Sequence, residues 1–149
     1  MNTATGEAYE TAGTTRSNAY LDAGLANVDP RASVKLEPYD GFMLRRVASS
    51  DYLAAYLSLT GVVIAKWEAG VLTTLASGPA VTYQAGRWYS LRVQDYGTKI
   101  DGYVDNVFSV SHTLAAGDDT RYGTSTQHGL FCSASGGLNR FKEFEVVQI

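Results

Sequence analysis

Cysteine occurs once in the 149 residues, so no internal disulfide can staple this chain. The one thiol, Cys132, stands in the apolar stretch GLFCSA, where a small buried side chain is expected. Cationic excess is missing as well. The net charge is -3 and no lysine or arginine run concentrates positive charge, so counterion release from a phosphate backbone has nothing to drive it. No nucleic-acid or other polyanion partner is expected. No apolar run approaches the ~18 residues that a membrane helix needs, and no membrane partner is expected. The opening MNTATGEAYETAGTT has neither the basic start nor the apolar segment of a signal peptide.

Chemistry-bearing residues are equally sparse. His112 and His128 stand far apart with no His-x-x-x-His or Cys-x-x-Cys spacing, so no metal site is expected and each histidine is placed at the surface or in a loop. The serines lie outside any nucleophile elbow. Glycoside hydrolysis would need two carboxylates held across a cleft. Asp118 and Asp119 are adjacent in a glycine-flanked stretch, and Glu143 and Glu145 alternate on what reads as the last strand, so both pairs are expected as solvated surface charge. No catalytic residue and no cofactor is expected.

What is there is a hydrophobic period of two, and 149 residues suffice for one domain with a genuine core, spanning 1–149. In DYLAAYLSL, Leu53, Ala55, Leu57 and Leu59 fall on one side, with Tyr52, Ala54, Tyr56 and Ser58 on the other, as in a half-buried strand. ASVKLEP places Val34 and Leu36 inward, with Lys35 and Glu37 outward. GFMLRRV sets Phe42 and Leu44 opposite Met43 and Arg45, and RWYSLRVQDY buries Tyr89, Leu91 and Val93. Turn signals recur at DPR (29–31), PYDG (38–41), LTG (59–61), EAG (68–70), SGP (77–79), YG (96–97) and SGG (135–137). TLAAGDD (113–119) reads as a loop or single turn rather than a helix. Short strands at this spacing predict an antiparallel sandwich.

The strongest functional signal is aromatic: 10 Tyr and 2 Trp. Sugar C–H faces stack on aromatic rings while their hydroxyls take planar polar partners. Two places offer that mixture. One is the non-core side of residues 88–96, with Trp88, Arg92, Gln94 and Tyr96. The other is Tyr52 with Tyr56, provided Arg45 lies beside them. Tyrosine also suits half-buried sheet surfaces with no ligand at all.

Four stretches in order carry a resemblance: NAYLDAGLANVDPRASVKLEP, GFMLRRVASSDYLAAYLSL, GRWYSLRVQDYGTKIDGYVDN and HGLFCSASGGLNRFKEFEVV. From about Gly6 to Val147 the chain resembles the concanavalin A-like lectin/glucanase group in its laminin-G-like form, in particular the domains of phage minor tail and receptor-binding proteins and of carbohydrate-associated bacterial proteins. The resemblance implies an all-β jelly-roll sandwich of two antiparallel sheets without enzymatic activity. It implies a carbohydrate-binding or adhesion module on a phage tail or fibre, at the virion surface or otherwise extracellular. Such a module would recognise a bacterial surface glycan, with other virion proteins or copies of itself as neighbours. A structural virion domain that binds no sugar and an accessory module of a secreted polysaccharide-degrading enzyme are the alternatives.

In such domains Trp88 and Tyr89 would begin a strand, Gly97 would reverse the chain, and Tyr103 to Asn106 would match a strand end that usually reads Val-Asp-Gly. Asn106 replaces the glycine, which a turn accepts because Asn tolerates a left-handed backbone. Two departures follow. The group usually begins with a further strand beside the last one, and GEAYETAG does not read as one, as though the chain were a fragment or its edge were supplied by an assembly. Its closing Phe-Asp-Asp-Phe motif, which can help hold calcium, is here Phe141, Lys142, Glu143, Phe144. An ammonium at that position repels a cation, so no calcium is expected.

Overall fold

Alternation of apolar and polar residues becomes two stacked sheets in the computed structural model, which describes residues 3–4, 18–35, 40–82, 84–132 and 141–149. Among the described residues the strands are β1 (Thr3–Ala4), β2 (Asn18–Asp22), β3 (Val28–Lys35), β4 (Asp40–Ala48), β5 (Asp51–Ser58), β6 (Gly61–Glu68), β7 (Val71–Ser77), β8 (Trp88–Asp95), β9 (Lys99–Val104) and β10 (Val107–Thr113). Helix α1 (Ala116–Tyr122) precedes β11 (Gln127–Cys132) and β12 (Phe141–Gln148). Sheet A has the order β1-β12-β3-β8-β9-β10 and sheet B the order β2-β11-β4-β5-β6-β7. All pairings are antiparallel, and the two sheets form a jelly-roll sandwich. No helix among the described residues is long and apolar enough to cross a membrane.

The layer between the sheets is filled as the alternation requires. Sheet A contributes Val28, Val34, Tyr89, Leu91, Val93, Ile100 and Val146, and sheet B contributes Phe42, Leu44, Leu53, Ala55, Leu57, Ile64 and Leu130. Leu59 departs from this pattern at 59% exposure, because β5 ends at Ser58 and the chain has already turned toward Gly61. Strand β5 is also more than half-buried: every residue from Asp51 to Ser58 is buried. Tyr52, Ala54 and Tyr56 join Met43, Val63, Ala65, Trp67 and Phe131 in a second apolar cluster. These residues alternate with the core positions, so they lie on the other face of sheet B.

Two hairpins turn through pairs of left-handed residues, Ala69 (φ 50) with Gly70 (φ 84) and Asp105 (φ 51) with Asn106 (φ 64). Two positive φ values in succession match the right-handed twist of the flanking strands, and Asn106 occupies the glycine-like position as expected.

Several expectations are corrected. DPR is not a turn: Asp29–Arg31 lie inside β3, which has β12 on one side and β8 on the other. The β3–β8 register pairs Val28 with Asp95 and resumes at Arg31 with Arg92, skipping Asp29 and Pro30, where proline has no N–H to donate. Asp40 and Gly41 begin β4 rather than turn. The stretch read as a loop holds the start of α1, anchored by buried Tyr122, whose hydroxyl donates to Asp51 at 2.8 Å. The first edge strand is present in short form, since Thr3 and Ala4 pair with Val147 and Val146 of β12. Leu36, Glu37, the SGG turn and the Cys132 side chain lie outside the described residues.

Candidate functional site

The outward side chains of β3, β8 and β9 form a continuous surface because these strands keep their alternation in register, while β12 joins it through a shift between Lys142 and Glu145 where Glu143 is left-handed (φ 56). Arg31 on β3 stands opposite Glu145 on β12 and Arg92 on β8. Arg92 stands opposite Tyr103 on β9, and Tyr103 opposite Phe108 on β10. Beneath this row sits Asp29, whose side chain is 1% exposed. Arg92 donates to it through Nε at 2.9 Å and Nη2 at 2.7 Å, and Arg31 donates through Nη2 at 2.6 Å. Burial works against the charge of Asp29, but hydrogen bonds from Arg92 and Arg31 outweigh it and hold the carboxyl below its ordinary range. Nη1 of Arg92 takes no part in this grip.

Aromatic rings border the fixed guanidinium. The Arg92 guanidinium lies 5.3 Å from the centre of the Tyr103 ring, which meets Phe108 edge-on at 5.7 Å. Phe108 is 55% exposed and Tyr96, just past the end of β8, is 45% exposed. Trp88 and Arg92 are half-buried on the same face. A strand rises about 3.4 Å per residue, so Trp88 and Tyr96 are separated by roughly 27 Å with Arg92 midway. Trp88, Arg92 and Tyr96 therefore share a face without converging on one point, and a ligand touching all three has to be an extended chain.

The second expected surface does not form. Tyr52 and Tyr56 do share the outer face of sheet B, with Tyr52 stacked on Trp67 at 6.2 Å and Tyr56 tilted against Phe131 at 5.5 Å, but both tyrosines are buried. Arg45 is not beside them. Its φ of 49 lies where the β4–β5 register shifts between Leu44 and Ala48, and this bulge reverses the alternation. The side chain enters the sandwich, is fully buried, and donates through Nε to Asp95 at 2.6 Å and through Nη2 to the other carboxylate oxygen.

His128 is likewise buried rather than at the surface or in a loop. Its Nδ1 accepts from the Arg45 backbone N–H at 3.4 Å, so Nε2 carries the proton and donates to the Leu25 carbonyl at 2.9 Å. Burial lowers its pKa to about 4, helped by the Arg45 charge and opposed by the Leu25 hydrogen bond. His112 is half-buried on β10.

Asp118 and Asp119 lie on α1, where Asp118 pairs with Lys66 at 2.8 Å instead of standing free in solvent. No group of three or more His, Cys, Asp or Glu side chains among the described residues is arranged to hold a metal ion. The site residues missed in the sequence are Asp29, hidden by its misreading as a turn, and Tyr103 with Phe108. Tyr103 was detectable as the outward position in KIDGYV.

The architecture defines the class: an all-β jelly-roll sandwich of the kind found in lectins and carbohydrate-binding modules. A carbohydrate binding module, CBM66 from Bacillus subtilis, superposes with a TM-score of 0.68 at 12% identity, covering 90% of this chain and 83% of that one. Galectin LEC-6 of Caenorhabditis elegans matches with a TM-score of 0.58 at 14% identity over 94% and 95% of the two chains. Domain 4 of AbnA, a GH43 extracellular arabinanase from Geobacillus stearothermophilus solved with arabinotriose, matches at 0.55 and 11% identity over 87% and 74%. No protein-family model and no curated protein sequence matches the chain. At these identities the likeness is one of fold.

Proposed function

We propose that this chain is a non-catalytic carbohydrate-binding module that lays an extended glycan along the outer face of sheet A. The observation that carries the reading is Arg92, clamped by Asp29 beside the Tyr103 ring, with the exposed rings of Tyr96 and Phe108 farther along the same face. Sugar C–H faces would rest on the rings, and a pair of hydroxyls would accept from the free edge of the guanidinium. Strands and the Asp29 clamp hold these groups beforehand, so little side-chain freedom is lost on binding. The face is shallow, which places the dissociation constant per copy on the order of 0.1 to 1 mM.

Weak single sites suit a particle that displays many copies. The module is accordingly assigned to a phage tail or fibre facing a bacterial surface polysaccharide, and the sequence resemblance to phage tail domains supports that setting. A second reading, an accessory module of a secreted polysaccharide-degrading enzyme, is favoured by the similarity to one domain of an arabinanase.

The test is a glycan array followed by titration with bacterial wall polysaccharide, using wild type, Arg92→Ala and Tyr96→Ala after thermal melts have verified folding. Each variant should lose roughly tenfold in affinity, the equivalent of one charge-assisted hydrogen bond or stacked ring. Undiminished binding by both would refute the Arg92 row of sheet A as the site. Absence of any glycan binding by wild type would favour a structural role between virion proteins or copies of the chain.

A further inference from the structure

At the end of the sheet A face remote from Tyr96, three strands bring one aromatic ring and two lysines together. Trp88 opens β8 directly across from Lys35 on β3, and Lys142 comes from β12, where it pairs with Ser33. The Lys142 ammonium lies 4.4 Å from the centre of the Trp88 ring and the Lys35 ammonium 5.2 Å from it. Ser33 and Ser90, paired two positions along the same two strands, add hydroxyls to the surface beside the ring.

Charge compensation separates this end from the rest of the face. Arg31 and Arg92 share Asp29, Lys99 holds Asp101 at 2.8 Å, and Arg87 holds Asp105 at 2.5 Å. Among the described residues neither Lys35 nor Lys142 forms an ion pair. The nearby acid, Glu143, is exposed and accepts from Ser33 Oγ at 3.4 Å. Among the described residues, two lysines outside any ion pair thus gather around a single tryptophan on an acidic protein. An ammonium over a ring keeps its N–H donors. An anion between the two ammoniums would gain charge-assisted hydrogen bonds from both without breaking an existing salt bridge.

We propose that this end of the face binds the acidic group of a glycan, a carboxylate or a phosphate held between Lys35 and Lys142, with the adjoining sugar ring against Trp88. The inference rests on the glycan reading of the same face and gives it a direction. The acidic residue sits at Trp88, and the chain continues toward Arg92, roughly 13 Å along β8. The overall net charge of -3 gives no long-range attraction to a polyanion, so recognition here depends on short-range contacts.

Affinity electrophoresis tests it in gels containing polygalacturonate, wall teichoic acid or neutral galactan, with wild type and the Lys35→Gln/Lys142→Gln double variant. Wild type should be retarded more by one of the acidic polymers than by galactan. The double variant should bind that polymer at least about tenfold more weakly, the factor one charge-assisted contact supplies, while its melting temperature and galactan binding stay unchanged. The preferred polymer identifies the acid as carboxylate or phosphate. Binding of galactan alone, or equal acidic-polymer binding by the double variant, would overturn this inference and leave the glycan reading standing. No retardation by any polymer would sink both.

Discussion

Arg45 and Asp95 form a doubly hydrogen-bonded ion pair in which both side chains are completely buried, tying β4 of one sheet to β8 of the other. Nη1 of Arg45 is buried without a hydrogen-bond partner among the described residues, so the cost of desolvating the pair is only partly offset by its contacts. Arg45→Met alone should cost about 3 to 5 kcal/mol, because Asp95 is left buried and unpaired. Arg45→Met with Asp95→Leu should recover most of that loss. Urea denaturation of the three proteins checks both, and a single variant as stable as wild type would contradict the assignment.

Acid stability turns on His128 beside this pair. Its pKa is about 4 in the folded protein against 6.5 when exposed, so the unfolded chain takes up the proton first. The stability this contributes is complete above pH 6.5 and is lost as the pH falls toward 4, by about 3 kcal/mol. Asp95 acts in the opposite sense. Burial raises its pKa to about 6 against the pull of Arg45, so protonation favours the folded state as pH falls from about 6 toward 3.8. The two contributions offset each other in wild type. His128→Gln removes one of them, and its stability relative to wild type should improve by about 3 kcal/mol between pH 7 and pH 4. Denaturation curves at the two pH values measure this; a constant difference would refute it.

Leu57 and Leu59 lie two positions apart with opposite fates, one wholly buried and the other at the turn. Leu57→Ala should cost about 2 to 5 kcal/mol as a cavity between the sheets. Leu59→Ala should stay within about 0.5 kcal/mol of wild type. Similar losses in both would mean that the β5–β6 turn is misplaced.

Asp29 positions Arg92 without itself facing a ligand. Asp29→Asn keeps one acceptor oxygen where two arginines compete, so stability should fall by about 1 to 3 kcal/mol. Glycan binding should weaken although Arg92 is intact, which calorimetry on the folded variant would reveal. Full affinity would show that the guanidinium needs no clamp.

The alternation in the sequence carried the layer structure, correctly setting Leu53 and Leu57 inward and Trp88 and Arg92 outward. It could not show that Tyr52 and Tyr56 are buried as well, because a period of two separates two faces without saying what covers either. Arg45 was unreadable for a different reason. The bulge that turns it inward is set by the register of β4 against β5, and one left-handed arginine leaves no mark in composition. Asp29 followed a Pro-containing pattern that ordinarily signals a turn, and only its neighbours on both sides keep it in a strand. Lys35, Trp88 and Lys142 were each visible singly, but their meeting depends on pairings across most of the chain.

The β3–β12 pairing has a kinetic consequence. Val34 meets Phe141, so the two strands can join only after more than a hundred intervening residues have been confined, whereas β4 to β7 zip through short hairpins. Folding dominated by such distant contacts is slow, on the order of milliseconds to seconds. In refolding, the β4–β7 meander is expected to gain protection from hydrogen exchange first. The ring of Trp88 receives its second ammonium only when β12 docks, so its fluorescence would report the closing step of assembly.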